Sequence, residues 1–363
     1  MNKLFKLFIL LLLVATVFTS CNPDGKDLFP SKLVKGAYLI NYGNFGNGGA
    51  SISKFDYENN EITNKYFYTQ NEGLELLSNI QYAFEYKDSI YLLGNNSDQL
   101  IVVNPLFEQT RNGISGFGIE NPRFCVADGD YLYISCWGAN PDFSVMSETY
   151  IAKFNVNTQK IEGKIVVPGG PEGLAFANGK LYVALNYVDS IAVLDLDASQ
   201  IGYIATPAVS SYFVKDENDN LYATQVNTWA DPSTETGLAY INTSTNQYVK
   251  TYKLDGVSSE YGSILAINND LSKIYVMASQ YDENWNLSGA LFQFDVASGL
   301  YSEFVTDISG PKGVSVNPVD GKIYVLTSES VTEGGSLGVY KEDGTLENVF
   351  ATGISPIMTL FLN

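Results

Sequence analysis

Apolar and polar positions form two short strand-like runs within residues 170–187, GPEGLAFANGKLYVALNY. The runs GLAFA and KLYVALNY are separated by Asn178 and Gly179. An Asn-Gly pair between β-prone runs is a strong hairpin signal, because a type I′ turn requires positive φ at both central residues. The stretch therefore predicts two antiparallel strands joined by a two-residue turn.

The second of these strands carries a Tyr between apolar neighbours, and this small pattern returns along the whole chain. Its copies contain Tyr38, Tyr91, Tyr133, Tyr182, Tyr222, Tyr275 and Tyr324. Successive tyrosines lie between 40 and 53 residues apart. A period of this length indicates a propeller or a similar array, in which each unit must pack on its neighbours to bury its apolar face.

Each copy lies among three more strand-like runs, which in the fourth unit cover residues 172–177, 180–186, 190–195 and 201–206. Asp, Asn, Ser, Thr and Gly between the runs favour tight turns. No segment has a convincing helical period. We therefore predict an all-β fold, a seven-bladed β-propeller with four-stranded antiparallel blades.

The two ends of the chain predict how the ring closes. The repeats begin at a second strand, residues 36–41, with no inner strand before it. The chain ends with an unpartnered apolar run at residues 354–362. We expect this C-terminal strand to become the inner strand of the first blade, because an open blade would leave an unpaired edge.

The amino terminus predicts secretion and a lipid anchor. Residues 1–20 contain Lys3 and Lys6 and then a short apolar run, which is typical of a signal peptide. The following sequence FTSC resembles a bacterial lipobox that ends at Cys21, although Phe18 replaces the usual Leu. We expect a lipoprotein signal peptide at 1–20, a lipidated flexible tether at 21–33 and the propeller at 34–363. A secretory signal cut elsewhere is the alternative.

Loops between second and third strands, and connections between blades, must lie on one face of a propeller, which we call the upper face. Its loops are long and rich in aromatic and amide residues, whereas the lower face has short polar hairpins. Aromatic rings provide rigid contact area, and amides both donate and accept hydrogen bonds. The residues that we expect to bind a ligand are Tyr42, Asn44, Phe45, Asn95, Trp137, Asn140, Phe143, Asn186, Tyr187, Asn227, Trp229, Tyr281 and Trp285. The alternative is that these aromatics only pack under long loops.

The amino-acid composition excludes several classes of function. The chain has no His, which excludes Ser-His and Cys-His nucleophile pairs and most transition-metal sites. Glu72, Glu172, Glu260 and Glu329 are the carboxylates that could act as acid or base on the upper face. No convincing catalytic constellation accompanies them, so we expect no enzyme activity, no metal and no cofactor. A formal charge of −19 argues against nucleic-acid binding.

Two cysteines follow the lipobox, and they flank a turn near Asp128 and Gly129. If Ala127 paired with Asp130, Cys125 would face Leu132 and Cys136 would face Asn121. The two sulfurs would then lie about 13 Å apart along the strands, too far for a disulfide. We expect two buried free thiols.

Two sets of residues resemble known families. The recurring K-L/I-Y-V strands and D-x-x-T/S turns resemble the YVTN-type seven-bladed propellers of surface layers. The opening GAYLINYGNFGNGGASISKFDYENNEI is similar to lipoproteins of Bacteroidetes that begin with NEGNFG and ASIS patterns, with Tyr42 in place of the usual Glu. Acidic Asp24 and Asp27, close after Cys21, also resemble the surface-export signals of such lipoproteins.

Relatives of this kind include surface lipoproteins that capture vitamin B12 beside a TonB-dependent outer-membrane transporter. The resemblance implies an outer-membrane lipoprotein, anchored through Cys21 and exposed on the cell surface, with cobalamin or a related corrinoid bound on the upper face as a transported ligand. Two alternatives remain open, a glycan-binding surface lipoprotein and a protein-interaction platform of an outer-membrane complex.

Overall fold

The computed structural model of the protein describes residues 36–110, 118–196, 199–228, 235–259 and 262–362, together with the backbone of 114–115. The signal segment, Cys21 and the tether lie outside the described residues, as does Trp229.

The described chain folds into seven four-stranded antiparallel blades, which confirms the predicted all-β propeller. Blades 1 to 3 contain β1 (Gly36–Asn41), β2 (Ser51–Asp56), β3 (Glu61–Thr63), β4 (Ile80–Tyr86), β5 (Ser89–Gly94), β6 (Gln99–Val103), β7 (Ile114–Ser115), β8 (Pro122–Asp128), β9 (Tyr131–Cys136), β10 (Tyr150–Asn155) and β11 (Lys160–Val166). Blades 4 and 5 contain β12 (Pro171–Ala177), β13 (Lys180–Leu185), β14 (Ser190–Asp195), β15 (Gln200–Ala205), β16 (Ser210–Lys215), β17 (Leu221–Gln225), β18 (Gly237–Asn242) and β19 (Gln247–Lys253). Blades 6 and 7 contain β20 (Leu265–Ile267), β21 (Lys273–Tyr281), β22 (Leu287–Asp295), β23 (Leu300–Ser309), β24 (Pro311–Val316), β25 (Ile323–Thr327), β26 (Gly334–Tyr340) and β27 (Leu346–Ile354).

The last strand, β28 (Pro356–Leu362), is the inner strand of blade 1 and pairs with β1. The pairing runs from Gly36 opposite Leu362 to Asn41 opposite Pro356. Each inner strand also contacts the inner strands of both neighbouring blades, so the seven form a continuous ring around the axis. The prediction that the two chain ends share one blade is confirmed.

The hydrophobic core lies between neighbouring blades rather than inside any one of them. The tyrosines of the repeated pattern are buried in every second strand. Tyr182 of blade 4, for example, packs in one cluster with Val193 of its own blade and with Leu221 and Ile241 of blade 5. Single blades therefore have no core of their own, and the array is stable only as a set.

Two local expectations were wrong. Residues Tyr66–Gln70 form a short helix, α1, in the connection between blades 1 and 2, although no helical period predicted it. In blade 3, Cys125 pairs with Ile134 and Cys136 with Pro122, because the hairpin turns at Gly129 and Asp130 rather than one residue earlier. The chemical conclusion still holds, since Cys125 and Cys136 are buried free cysteines.

Candidate functional site

Three polar residues occupy the same position at the upper end of three adjacent inner strands. Gln81, Arg123 and Glu172 are the second residues of β4, β8 and β12. In each blade the pairing with the second strand shifts register at this point. A β-bulge re-aims the side chain of the extra residue. The three side chains thereby meet one another across blade boundaries.

Arg123 and Glu172 form a buried ion pair near the top of the inner ring. The Nε of Arg123 donates to Oε2 and Oε1 of Glu172 at 2.9 and 3.1 Å, and Nη2 donates to Oε1 at 2.9 Å. The Nη1 atom donates to Oε1 of Gln81 at 3.2 Å. The side chains of Arg123 and Glu172 are only 6% and 2% exposed. Such a fork of charge-assisted bonds fixes the guanidinium plane.

Trp137 lies against this ion pair. The guanidinium carbon of Arg123 lies 4.2 Å from the centroid of the indole ring, within the range of a cation–π contact. The indole Nε1–H donates to the carbonyl oxygen of Pro171 at 3.1 Å. The position and the rotation of the indole are therefore both fixed by groups from blades 3 and 4.

Phe143 and Tyr187 flank Trp137, and the three residues form what we call the aromatic cluster. Their rings meet the indole nearly edge-to-face, with centroids 6.4 and 5.6 Å away. Phe143 is 58% exposed, so the cluster reaches solvent on the upper face. Burial raises the pKa of Tyr187 above its usual value. Tyr187 packs on Gly170, where a Cβ would lie only 2.6 Å from the ring atom Cδ2.

A single carboxylate organises the loop that carries Phe143. The Oδ1 atom of Asp142 accepts bonds from the backbone N–H groups of Ser144, Val145 and Met146, at 3.0, 3.1 and 2.6 Å. These donors, Ser144 first and Met146 next, hold the pKa of the Asp142 carboxyl well below its usual range. The loop is thus held rigidly by one exposed acidic residue.

An amide and two hydroxyls continue the site toward blade 5. The Nδ2 of Asn186 donates to the Oγ of Ser211 at 2.6 Å and to the carbonyl oxygen of Ser210 at 3.2 Å. The Oγ of Ser259 donates to Oδ1 of Asn186 at 3.2 Å. This network joins blades 4 and 5 beside Tyr187 and gives the site a polar border.

Several predicted site residues are buried and hold loops in place. Tyr42, Asn95 and Asn186 are only 4%, 8% and 4% exposed. Asn95 donates to the carbonyl oxygen of Pro122 at 3.2 Å. The backbone N–H of Tyr42 donates to the carbonyl oxygen of Ser355 at 2.8 Å. These side chains contribute order to the upper face and little accessible surface.

Other predicted residues lie elsewhere on the upper face and do not join the aromatic cluster. Tyr281 and Trp285, on the hairpin loop of blade 6, are 53% and 74% exposed with ring centroids 6.1 Å apart. Phe45 is 53% exposed on the corresponding loop of blade 1. The amide residues that are partly or fully exposed are Asn44, Asn140 and Asn227.

Arg123 and Gln81 were not predicted from the sequence, and Glu172 was considered there only as a possible acid or base. A signal was present, because a charged residue follows Pro in the dipeptides Pro122-Arg123, Pro171-Glu172 and Pro311-Lys312.

Within the described ranges, no group of three or more His, Cys, Asp or Glu residues is placed to hold a metal ion. Among the described residues, no helix has the length and hydrophobicity that a membrane-spanning helix needs.

Comparison with solved structures finds propellers of low sequence similarity. The fold is similar to that of a quinonprotein alcohol dehydrogenase-like protein from Bacteroides thetaiotaomicron, with a TM-score of 0.66 and 14% identity over 91% of this chain and 78% of that one. A candidate 6-phosphogluconolactonase from Bacteroides uniformis gives a TM-score of 0.63 and 14% identity over 90% and 99% of the two chains. Streptogramin B lyase gives a TM-score of 0.53 and 10% identity over 87% of this chain and 88% of that one. At these identities the likeness concerns the fold alone.

No curated protein sequence matches the chain. A family model does, and it covers most of the propeller. Residues 35–341 match the family described as "Domain of unknown function (DUF5074)", and the chain belongs to that family.

Proposed function

We propose that the protein is a surface lipoprotein that captures a ligand on the upper face of its propeller, with the aromatic cluster as the centre of the site. The observation that carries the proposal is the fixed indole of Trp137, held between Arg123 and the carbonyl oxygen of Pro171. An aromatic ring that is already ordered binds with little loss of conformational entropy. The exposed Phe143 beside it extends the apolar surface toward solvent.

The first candidate ligand is cobalamin or a related corrinoid. A corrin ring is broad, partly apolar and fringed by amides, so it needs aromatic contact together with hydrogen-bonding groups at its edge. The aromatic cluster supplies the former. The half-buried Ser259, whose hydroxyl is held by Asn186, is a hydrogen-bonding group for the latter. The resemblance of the first strands to B12-capturing lipoproteins of Bacteroidetes supports the same choice.

The proposal includes an anchor on Cys21 in the outer membrane and delivery of the ligand to a TonB-dependent transporter. The proposal assigns the protein no catalysis, no cofactor and no nucleic-acid partner.

Calorimetric titration of the purified protein with cyanocobalamin tests the proposal. We expect tight binding that Trp137→Ala weakens about 30-fold or more, because a buried-edge aromatic anchor is worth about 2 kcal/mol or more. Trp285→Ala is the matched control, since it removes an exposed indole from a distant blade and should leave the affinity unchanged. An absence of heat with cyanocobalamin would exclude a corrinoid as the ligand.

A glycan is the second candidate, and the pair of exposed rings at Tyr281 and Trp285 favours it. Sugars stack on exposed aromatic rings and bond to neighbouring amides and carboxylates. A glycan panel should then give binding that Trp285→Ala abolishes and Trp137→Ala spares, the reverse of the corrinoid result. If neither ligand binds and a membrane protein co-purifies, the interaction-platform alternative takes precedence.

A further inference from the structure

A separate cavity lies where the ring closes, between blade 7 and blade 1. Its volume is about 400 Å³, which is within the range of small-molecule sites. Its walls come from the start of β2, the end of β27, and the connection that contains α1. None of these elements contributes to the aromatic cluster, which lies at the boundary of blades 3 and 4.

One wall of the cavity is apolar. Phe67 and Leu76, which are 2% and 3% exposed, form its buried part. Leu74 and Tyr68, at the opening, are 48% and 43% exposed. An isolated bridge between Ala50 and Leu76 holds this wall against β2. A flat apolar molecule would therefore find contact on one side without any rearrangement of the backbone.

Ser51 and Asn64 form a polar wall of the cavity, and both hydrogen-bond to buried residues that do not line it. The Nδ2 of Asn41 donates to the Oγ of Ser51 at 3.2 Å and to the Oγ of Ser53 at 2.9 Å. Ser53 in turn donates to Oδ1 of Asn64 at 2.6 Å, and Nδ2 of Asn64 donates to the carbonyl oxygen of Ala351 at 3.2 Å. Ser51 lines the cavity, and within the described residues its hydroxyl hydrogen has no acceptor. The cavity thus offers a hydroxyl group that can donate a hydrogen bond.

Gly353 lets β27 pack closely against the polar wall of the cavity. A Cβ at this position would lie 2.4 Å from the Oγ of Ser51 and 2.7 Å from the Nδ2 of Asn41. Only glycine therefore lets the last residues of β27 approach the polar wall this closely. The charged residues of the lining, Lys65 and Glu75, have opposite signs, so the lining selects for no net charge.

We propose that this cavity is a second ligand site, which takes a compact, neutral and mainly apolar molecule with one hydrogen-bond-accepting group. The apolar wall of Phe67, Leu74 and Leu76 receives the body of the molecule. The hydroxyl of Ser51 donates to its acceptor. The site does not depend on the function proposed for the aromatic cluster.

Two neutral fluorescent naphthalenes of similar size test this assignment. Prodan carries a carbonyl acceptor, whereas N-phenyl-1-naphthylamine carries none. Both should bind the purified protein, with Prodan the tighter. Ser51→Ala should weaken Prodan about fivefold and leave N-phenyl-1-naphthylamine unchanged, because it removes one hydrogen bond of ordinary strength. Asn41 retains Ser53 and the Ser51 carbonyl oxygen as acceptors, so the fold is not at risk.

A matched pair of exposed leucines separates the cavity from general surface binding. Leu74 lines the cavity, and Leu77, which is 79% exposed, does not. Leu74→Ser should weaken both probes about fivefold or more, and Leu77→Ser should change neither. Trp137→Ala should also leave both probes unaffected, which keeps this test distinct from the corrinoid titration. Equal losses in the two leucine variants, or Prodan binding that ignores Ser51, would overturn the assignment.

Discussion

At the scale of the residue, one buried charge pair lies beneath the aromatic cluster. Arg123 and Glu172 are 49 positions apart in sequence and belong to different blades, yet the carboxylate receives three contacts from the guanidinium. Each residue is a charged side chain after a proline, which the sequence displays. Their pairing is not visible there, because it depends on bulges that turn both side chains toward the same blade boundary.

Glu172→Gln should lower the free energy of unfolding by about 3 kcal/mol, because it leaves the guanidinium buried without a countercharge. Urea denaturation followed by circular dichroism measures the loss. Glu120→Gln is the control, since Glu120 binds Lys164 at 3.1 Å in a partly exposed pair and should cost less than about 1 kcal/mol. Equal losses in the two variants would mean that the buried pair has no special weight.

At the scale of the element, rigid turns present the aromatic side chains. Asp142 accepts backbone bonds in the loop of Phe143, and Asp282 does the same for the loop of Trp285, where it accepts from Asn284 and Asn286 at 2.8 Å each. Backbone and side-chain donors lower the pKa of both aspartates. Two loops of different length thus use the same chemistry to order an exposed ring.

Asp142→Ala should increase amide hydrogen exchange across residues 144–147. It should also lower the affinity of the aromatic cluster for its ligand several-fold, because Phe143 loses its fixed position. Asp282→Ala should loosen only the loop of Trp285 and spare that ligand. In the wild-type protein, the affinity of the aromatic cluster for its ligand should be constant between about pH 5 and 8, because Asp142 stays ionised over this range. A carboxylate with a lowered folded pKa contributes fully above its unfolded pKa and loses its contribution only as the pH falls through the folded value. A loss of affinity between pH 7 and 5 would exclude this role for Asp142.

The strands themselves differ in how far the sequence predicts them. Blade 4 was predicted to within about one residue at each boundary, since Asn-Gly and similar turns mark every reversal. The outer strands were harder: β3 has three residues and β7 two. Outer strands have solvent on one side, so their apolar pattern is weak. The helix α1 is likewise too short to display a period, and its Phe67 is buried by tertiary packing.

At the scale of the whole molecule, closure of the ring makes every blade the neighbour of two others. The prediction of closure came from counting strands at the two chain ends, which needs no knowledge of side-chain packing. The aromatic cluster required that knowledge, because Trp137, Phe143 and Tyr187 meet only across the boundary of blades 3 and 4. The cavity between blades 7 and 1 is lined by residues of both blades, which are neighbours because the ring is closed.

A circular permutant tests whether closure depends on the chain ends or only on the strand. Gly36 and Leu362 are direct partners, so an Asn-Gly linker between them should form a two-residue hairpin like the one at Asn178 and Gly179. New termini placed between Ala205 and Ser210 would open only a connection between blades. We expect this permutant to fold and to melt within a few degrees of the parent chain. Deletion of residues 356–362 should instead give an aggregating protein, because β1 and the neighbouring inner strands lose their partner. A deletion variant that stays monomeric with an unchanged melting temperature would show that the ring is held without β28.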